Sequence, residues 1–170
     1  MRTLLPLTLT SLVAGPALAA DLTLSVEIPK LTVAEYHRPY VALWIERPGE
    51  GVVSNLAVWY ELKKKDKEGE KWLKDMRQWW RKTGRDLTMP VDGVSGATKT
   101  PGKHEIKFTD GKSPLAKLTP GKYELLVEAA REVGGRELVR IPFEWPAKGP
   151  ASASAQGATE LGAITLNIKP

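Results

Sequence analysis

The chain predicts an all-β fold, an Ig-like antiparallel β-sandwich of about seven strands carrying one inserted amphipathic helix. Three observations lead there. Apolar and polar side chains alternate with a period of two along much of the sequence, Pro-Gly and Gly-Gly pairs punctuate that pattern, and one segment alone switches to a helical period. The first strand is set by Leu22, Leu24, Val26 and Ile28, which alternate with Thr23, Ser25 and Glu27. Residues 40–46 and 55–62 are apolar on both faces: Val41, Leu43 and Ile45 oppose Ala42 and Trp44, and Leu56, Val58 and Tyr60 oppose Ala57 and Trp59. Such strands lie centrally, with a layer covering each side. Residues 103–108, 122–129, 137–145 and 161–168 complete the set of seven. Pro101-Gly102 and Pro120-Gly121 supply turns ahead of two of these, and Gly134-Gly135 marks a hairpin. Pro142 lacks an N–H and assigns its strand to a sheet edge.

The helix is expected over about residues 70–83. Trp72, Met76, Trp79 and Trp80 fall at i, i+4, i+7 and i+8, so a helix lying on the sheet buries Trp72, Met76 and Trp79. Acidic residues precede this stretch, basic residues end it, and Gly84 stands as a C-terminal stop. Residues 146–158 are rich in Ala, Ser, Gly and Pro without periodicity and are expected to form a flexible surface loop within one domain spanning 21–170.

Residues 1–20 have the features of a secretory signal peptide: Arg2, an apolar run over 4–13, and the small-residue box Ala17-Leu18-Ala19. The run is shorter than the roughly 20 residues a membrane span needs, and no later segment is long enough. The mature chain is therefore expected in the periplasm, outside reach of nucleic acid and not spanning the membrane. There are 0 cysteines, which removes disulfides, thiolate metal sites, haem attachment and iron–sulfur ligation. The 2 histidines, His37 and His104, have no ligand-like spacing and are expected at the solvated surface; no metal site is expected.

The net charge of +5 is concentrated. Residues 63–85 carry ten basic and four acidic side chains, net +6, which is either a solvated face or an anion-facing patch for a cofactor phosphate, an acidic partner or anionic lipid. The chain has 6 tryptophans. Trp79 and Trp80 stand about 100° apart on a helix, so one indole of the pair is a candidate for stacking on a planar cofactor ring.

Chemistry is concentrated in DGVSGAT, Asp92 to Thr98. Gly93, Ser95, Gly96 and Ala97 have minimal side chains, so the segment can enter another protein's active site and bend freely. Thr98 supplies a nucleophilic hydroxyl, Asp92 can hold the loop through an Asx-type turn, and Lys99 can pair with a phosphodiester. No Ser-His-Asp spacing, metal cluster or nucleotide loop is present in the sequence, so no catalytic residue is assigned and the protein is not expected to be an enzyme.

The motif resembles D-x-x-[ST]-G-A-T, the acceptor of bacterial flavin transferases, and matches that of the FMN-binding subunits of sodium-pumping quinone reductase and Rnf complexes over Asp92–Thr98 only. The whole chain is similar to a family of bacterial periplasmic proteins catalogued as a domain of unknown function, whose members often occur beside PepSY-type membrane proteins and flavin transferases. The similarity lies in EYHRPYVALWIE (35–46), NLAVWYE (55–61), GEKWLKDMRQWWRKTGR (69–85), DGVSGATKTPG (92–102) and YELLVEAAREVGGRE (123–137). The resemblance implies FMN esterified to Thr98 by a flavin transferase, and an electron carrier that partners a PepSY-type membrane oxidoreductase. The alternative is a non-redox Ig-like module that binds a ligand or protein through exposed tryptophans.

Overall fold

A computed structural model describes residues 20–170; the expected signal peptide lies outside the described residues. Nine strands form two sheets: β1 (Asp21–Ile28), β2 (Tyr40–Arg47), β3 (Gly51–Tyr60), β4 (Ser95–Ala97), β5 (Gly102–Thr109), β6 (Gly121–Ala130), β7 (Arg136–Trp145), β8 (Ala151–Gln156) and β9 (Ala163–Lys169). One sheet has the order β5-β1-β9-β8 and the other β4-β3-β2-β6-β7. Every pairing is antiparallel except β3 with β4.

The two sheets pack face to face. Leu22, Leu24, Val26 and Ile28 of β1 and Ile164, Leu166 and Ile168 of β9 meet Val41, Leu43 and Ile45 of β2 and Leu125, Val127 and Ile141 across the interior. The five-stranded sheet has a second buried face. There Ala42, Trp44, Val58, Tyr60 and Leu126 are covered by Leu73, Met76 and Trp79 from the helical insertion. The doubly apolar strands β2 and β3 thus sit between two layers, as their sequence requires. One side chain changes sides. The β2–β3 register shifts between Leu43 and Trp44, Leu56 is skipped, and Leu56 joins Ala57 and Trp59 in the interior instead of Val58 and Tyr60. A bulge does this because the extra residue resets the two-residue alternation. Pro142 does lie on an edge, since β7 pairs only with β6. The Gly134-Gly135 turn closes the β6–β7 hairpin, with Arg131 N–H donating to Gly135 O at 3.1 Å.

Three expectations are corrected. The single helix over 70–83 is instead a 3₁₀ segment, Lys65–Asp75, followed by a six-residue helix α1 (Arg77–Lys82) and a further 3₁₀ turn at Gly84–Asp86. Asp66 and Lys67 hold left-handed backbone angles near its start, and Met76 breaks it at its end. The buried residues Leu73, Met76 and Trp79 recur every three positions, the turn length of a 3₁₀ path. Trp72, which an α-helical period would bury, is rotated outward and 51% exposed. Gly84 does not merely stop a helix: a Cβ there would lie 2.5 Å from the Trp79 ring.

The stretch 146–158 is not a flexible loop, because residues Ala151–Gln156 form edge strand β8 along β9. Its Ala and Ser side chains bury little, so no hydrophobic alternation announces it; the ladder to β9 holds it. Its far end is tied by Glu137, whose carboxylate accepts from the backbone N–H of Thr159, Glu160 and Leu161 at 2.8–3.0 Å. The strand count rises from about seven to nine because β4, like β8, lacks an apolar pattern. Among the described residues no helix is long and apolar enough to cross a membrane.

Candidate functional site

The DGVSGAT segment is an ordered edge of the five-stranded sheet, where the sequence suggests a free loop. Its first half is a turn. Val94 and Ser95 N–H both donate to Val91 O, at 3.2 and 2.9 Å, and Gly93 takes the left-handed φ of 70° that the turn needs. The expected Asx turn at Asp92 is not formed. Asp92 is exposed and makes no side-chain hydrogen bond among the described residues, while the Ser95 hydroxyl closes the turn by accepting from Val91 N–H at 2.9 Å.

The second half is β4, which runs parallel to β3 with Ser95, Gly96 and Ala97 opposite Val58, Trp59 and Tyr60. Thr98 N–H donates to Tyr60 O at 3.2 Å and Val58 N–H to Val94 O at 2.9 Å. The small residues therefore serve close approach to the sheet: a Cβ on Gly96 would already lie 3.3 Å from the Trp59 indole. Lys99 turns away from Thr98. Its ammonium stands 5.2 Å from the centre of the Trp59 ring, in a separate groove that Gly93, Ser95 and Gly96 also line. The pairing of Lys99 with a phosphodiester on Thr98, expected from adjacency, does not follow from this placement.

Thr98 borders a cleft of about 570 Å³. Its walls are Trp72 and Asp75 of the 3₁₀ segment, Arg131, Glu132 and Val133 of the β6–β7 turn, Tyr36, His37 and Arg38 ahead of β2, and Tyr40 and Glu61 at the sheet's end. This size is ordinary for a small-molecule site. The Arg131 side chain is buried and forms a bidentate pair with Glu160, at 2.8 and 3.2 Å, and the same carboxylate accepts Gly135 N–H at 2.8 Å. Nη1 of Arg131 and the hydroxyl of Tyr36 are buried without a hydrogen-bond partner. Burial raises the Tyr36 phenol above its ordinary value of 10.0, against the opposing pull of Arg131 and Arg38. The Tyr40 phenol is pushed up to about 12, chiefly by burial, with the Glu61 charge adding to it. Both phenols are protonated at neutral pH and are able to donate.

The tryptophans are redistributed relative to expectation. Trp79 is fully buried, with Nε1 donating to Asn55 at 2.9 Å and Gly84 against its ring, so it has no face to offer a flavin. Trp80 is half-buried beside Trp79 and does not line the cleft. The indole that shares the cleft with Thr98 is Trp72. His37 likewise lines the cleft, 2.9 Å from Glu35 and 3.5 Å from Glu132, and His104 packs edge-on to Trp59; neither is a simple solvated side chain. No local signal marks Tyr36 or Arg131, because the partners that bury them are distant in sequence.

The architecture and the cleft define the molecule as a β-sandwich with Thr98, at the end of an edge strand, bordering a cleft. The chain belongs to the family described as "Predicted periplasmic protein (DUF2271)", whose model matches residues 21–163, and the protein is periplasmic. No curated protein and no solved structure matches it.

Proposed function

We propose that this protein is a periplasmic electron carrier whose redox group is FMN, esterified to Thr98. The observation that carries the reading is a coincidence. The one hydroxyl that the acceptor pattern D-x-x-S-G-A-T designates is also the one residue of the motif that borders the large cleft. In the modification, the Thr98 hydroxyl attacks the riboflavin-side phosphorus of FAD on a flavin transferase. The new P–O ester forms as the phosphoanhydride bond to AMP breaks, AMP leaves, the hydroxyl proton is released, and metal on the transferase offsets the developing charge.

The residues present fit the group. Trp72 offers an exposed aromatic face, Tyr36 and Arg131 hold unused donors, and the cleft has the volume of a small-molecule site. FMN supplies one- and two-electron transfer when bound; the protein binds it, orients it and excludes water. A covalent link suits the periplasm, where a dissociated cofactor has no pool to replace it. The electron partner is a PepSY-type membrane oxidoreductase, and the exposed basic side chains of residues 63–85 face outward for an acidic surface.

Co-expression with a flavin transferase tests the proposal. The denatured band carries flavin fluorescence on a gel, Thr98→Ala abolishes it, and Ser95→Ala weakens it because Val91 N–H loses its acceptor. Fluorescence that persists in the Thr98 variant overturns the assignment. The same orphaned donors also suit a second reading, a non-redox module that binds a free ligand in the cleft. In that case the purified protein binds its ligand unchanged after Thr98→Ala.

A further inference from the structure

We infer that the ring system of the flavin on Thr98 lodges in the cleft, stacked on Trp72, with the Tyr36 hydroxyl and the Arg131 guanidinium as donors to its carbonyl edge. This rests on the acceptor reading above and specifies where the cofactor sits.

Three independent observations converge on the cleft. Among the described residues four large apolar side chains are exposed, and two of them, Trp72 at 51% and Val133 at 72%, line it. An exposed indole and an exposed valine flanking one concavity mark a binding surface. Second, among the described residues three buried side-chain polar atoms lack a hydrogen-bond partner, and two of them belong to cleft residues Tyr36 and Arg131. Buried donors are almost always satisfied, so two left unpaired within the residues lining one cavity are the groups that turn toward acceptors when a ligand arrives. The pyrimidine portion of an isoalloxazine has carbonyl oxygens and ring nitrogens of that kind. Tyr36 remains a donor because its phenol is held protonated, and an arginine in a protein is never deprotonated.

Third, one wall of the cleft is strained in its backbone. Among the described residues the non-glycine positions with positive φ are Asp66 and Lys67, outside the cleft lining, and Val133, which lines the cleft at the turn that carries Arg131. A β-branched residue at φ 52° is costly, and such strain gathers at ligand clamps. The Arg131–Glu160 bidentate pair fixes the guanidinium while leaving Nη1 open.

Flavin emission from protein labelled by the transferase decides the matter, because indole stacking quenches it. Native wild-type protein emits several-fold less than the same sample unfolded in guanidinium. Trp72→Ala raises native emission several-fold at equal flavin load in the denatured band, and Trp80→Ala leaves it quenched. Trp72 is half exposed, so its removal spares the core. Tyr36→Phe keeps the quench and shifts the reduction potential negative; an unchanged potential overturns the donor assignment. Labelled protein whose emission ignores Trp72, or equals that of the unfolded sample, overturns the seat while the acceptor reading stands. A denatured band without flavin overturns both.

Discussion

A single methyl group decides whether Trp79 keeps its place. Gly84 lies against the indole so closely that any Cβ would fall 2.5–2.8 Å from three ring carbons, and the ring is pinned on its other side by the hydrogen bond to Asn55. Gly84→Ala therefore forces a shift in a packed layer and costs about 1–3 kcal/mol, measured as a lower urea midpoint with unchanged slope. The same logic explains Gly96, where the edge strand approaches the Trp59 indole. At the motif, small residues are used for contact with the protein's own sheet. Thr98 differs from its neighbours in bordering the cleft, and the Thr98→Ala and Trp72→Ala measurements above read that difference.

α1 is far too short to be stable by itself, since isolated helices below about 12 residues are marginal in water. Its support is a buried carboxylate. Glu128, on the outer face of β6, accepts the N–H groups of Gln78 at 3.1 Å and Trp79 at 2.7 Å and an Arg136 guanidinium N–H at 2.8 Å. It satisfies donors that every helix start leaves open and meets the positive end of the helix with negative charge. At the other end Lys82 reaches Glu46 at 2.9 Å, and Glu46 also accepts the Trp44 indole N–H at 2.8 Å. Glu128→Ala strips the partner from two backbone donors and a guanidinium, and costs about 2–4 kcal/mol. Thermal unfolding reads this as a lower Tm, together with loss of the Trp79 near-ultraviolet dichroism. Glu144→Gln, at an exposed position of β7, stays within about 0.5 kcal/mol of wild type.

For the whole molecule, two carboxylates link the layers and make stability depend on acid. Burial alone raises the Glu46 pKa, but the hydrogen bonds from Trp44 and Lys82 outweigh it and leave the group below its ordinary 4.5. Glu137 is likewise raised by burial and carried below 4.5 by the backbone N–H groups of residues 158–161. A group depressed in the folded state is protonated first in the unfolded chain, so it favours folding above pH 4.5 and loses that contribution as pH falls through its folded value. Stability is therefore flat near neutrality and declines below about pH 4.5. In Glu46→Gln and Glu137→Gln the protein is less stable at pH 7, and the acid slope is shallower. Denaturant unfolding at a series of pH values checks both effects; an unchanged slope in both variants contradicts this account.

The long strands were legible because each buries a continuous face. Leu22 to Ile28 alternate, and residues 40–46 and 55–62 are apolar on both sides, so β1, β2 and β3 and the covered position of the latter two follow from side-chain hydrophobicity alone. Pro142 reveals an edge because its missing N–H is a local fact. The acceptor-like pattern at Asp92–Thr98 is equally local, and composition and spacing suffice to single it out. What the tertiary structure decided is everything held by non-local backbone bonds or by shape. β4 and β8 exist through ladders to β3 and β9 that their Gly, Ala and Ser side chains do not encode. The helical insertion follows a three-residue path over the outer face of the sheet, so Trp79 is buried and Trp72 is exposed, against the α-helical period. The cleft at Thr98 unites residues from 36 to 133, and its open donors arise because Glu160, 29 positions beyond Arg131, occupies only part of that guanidinium. Periodicity records which residues avoid water; only the folded chain determines which of them meet.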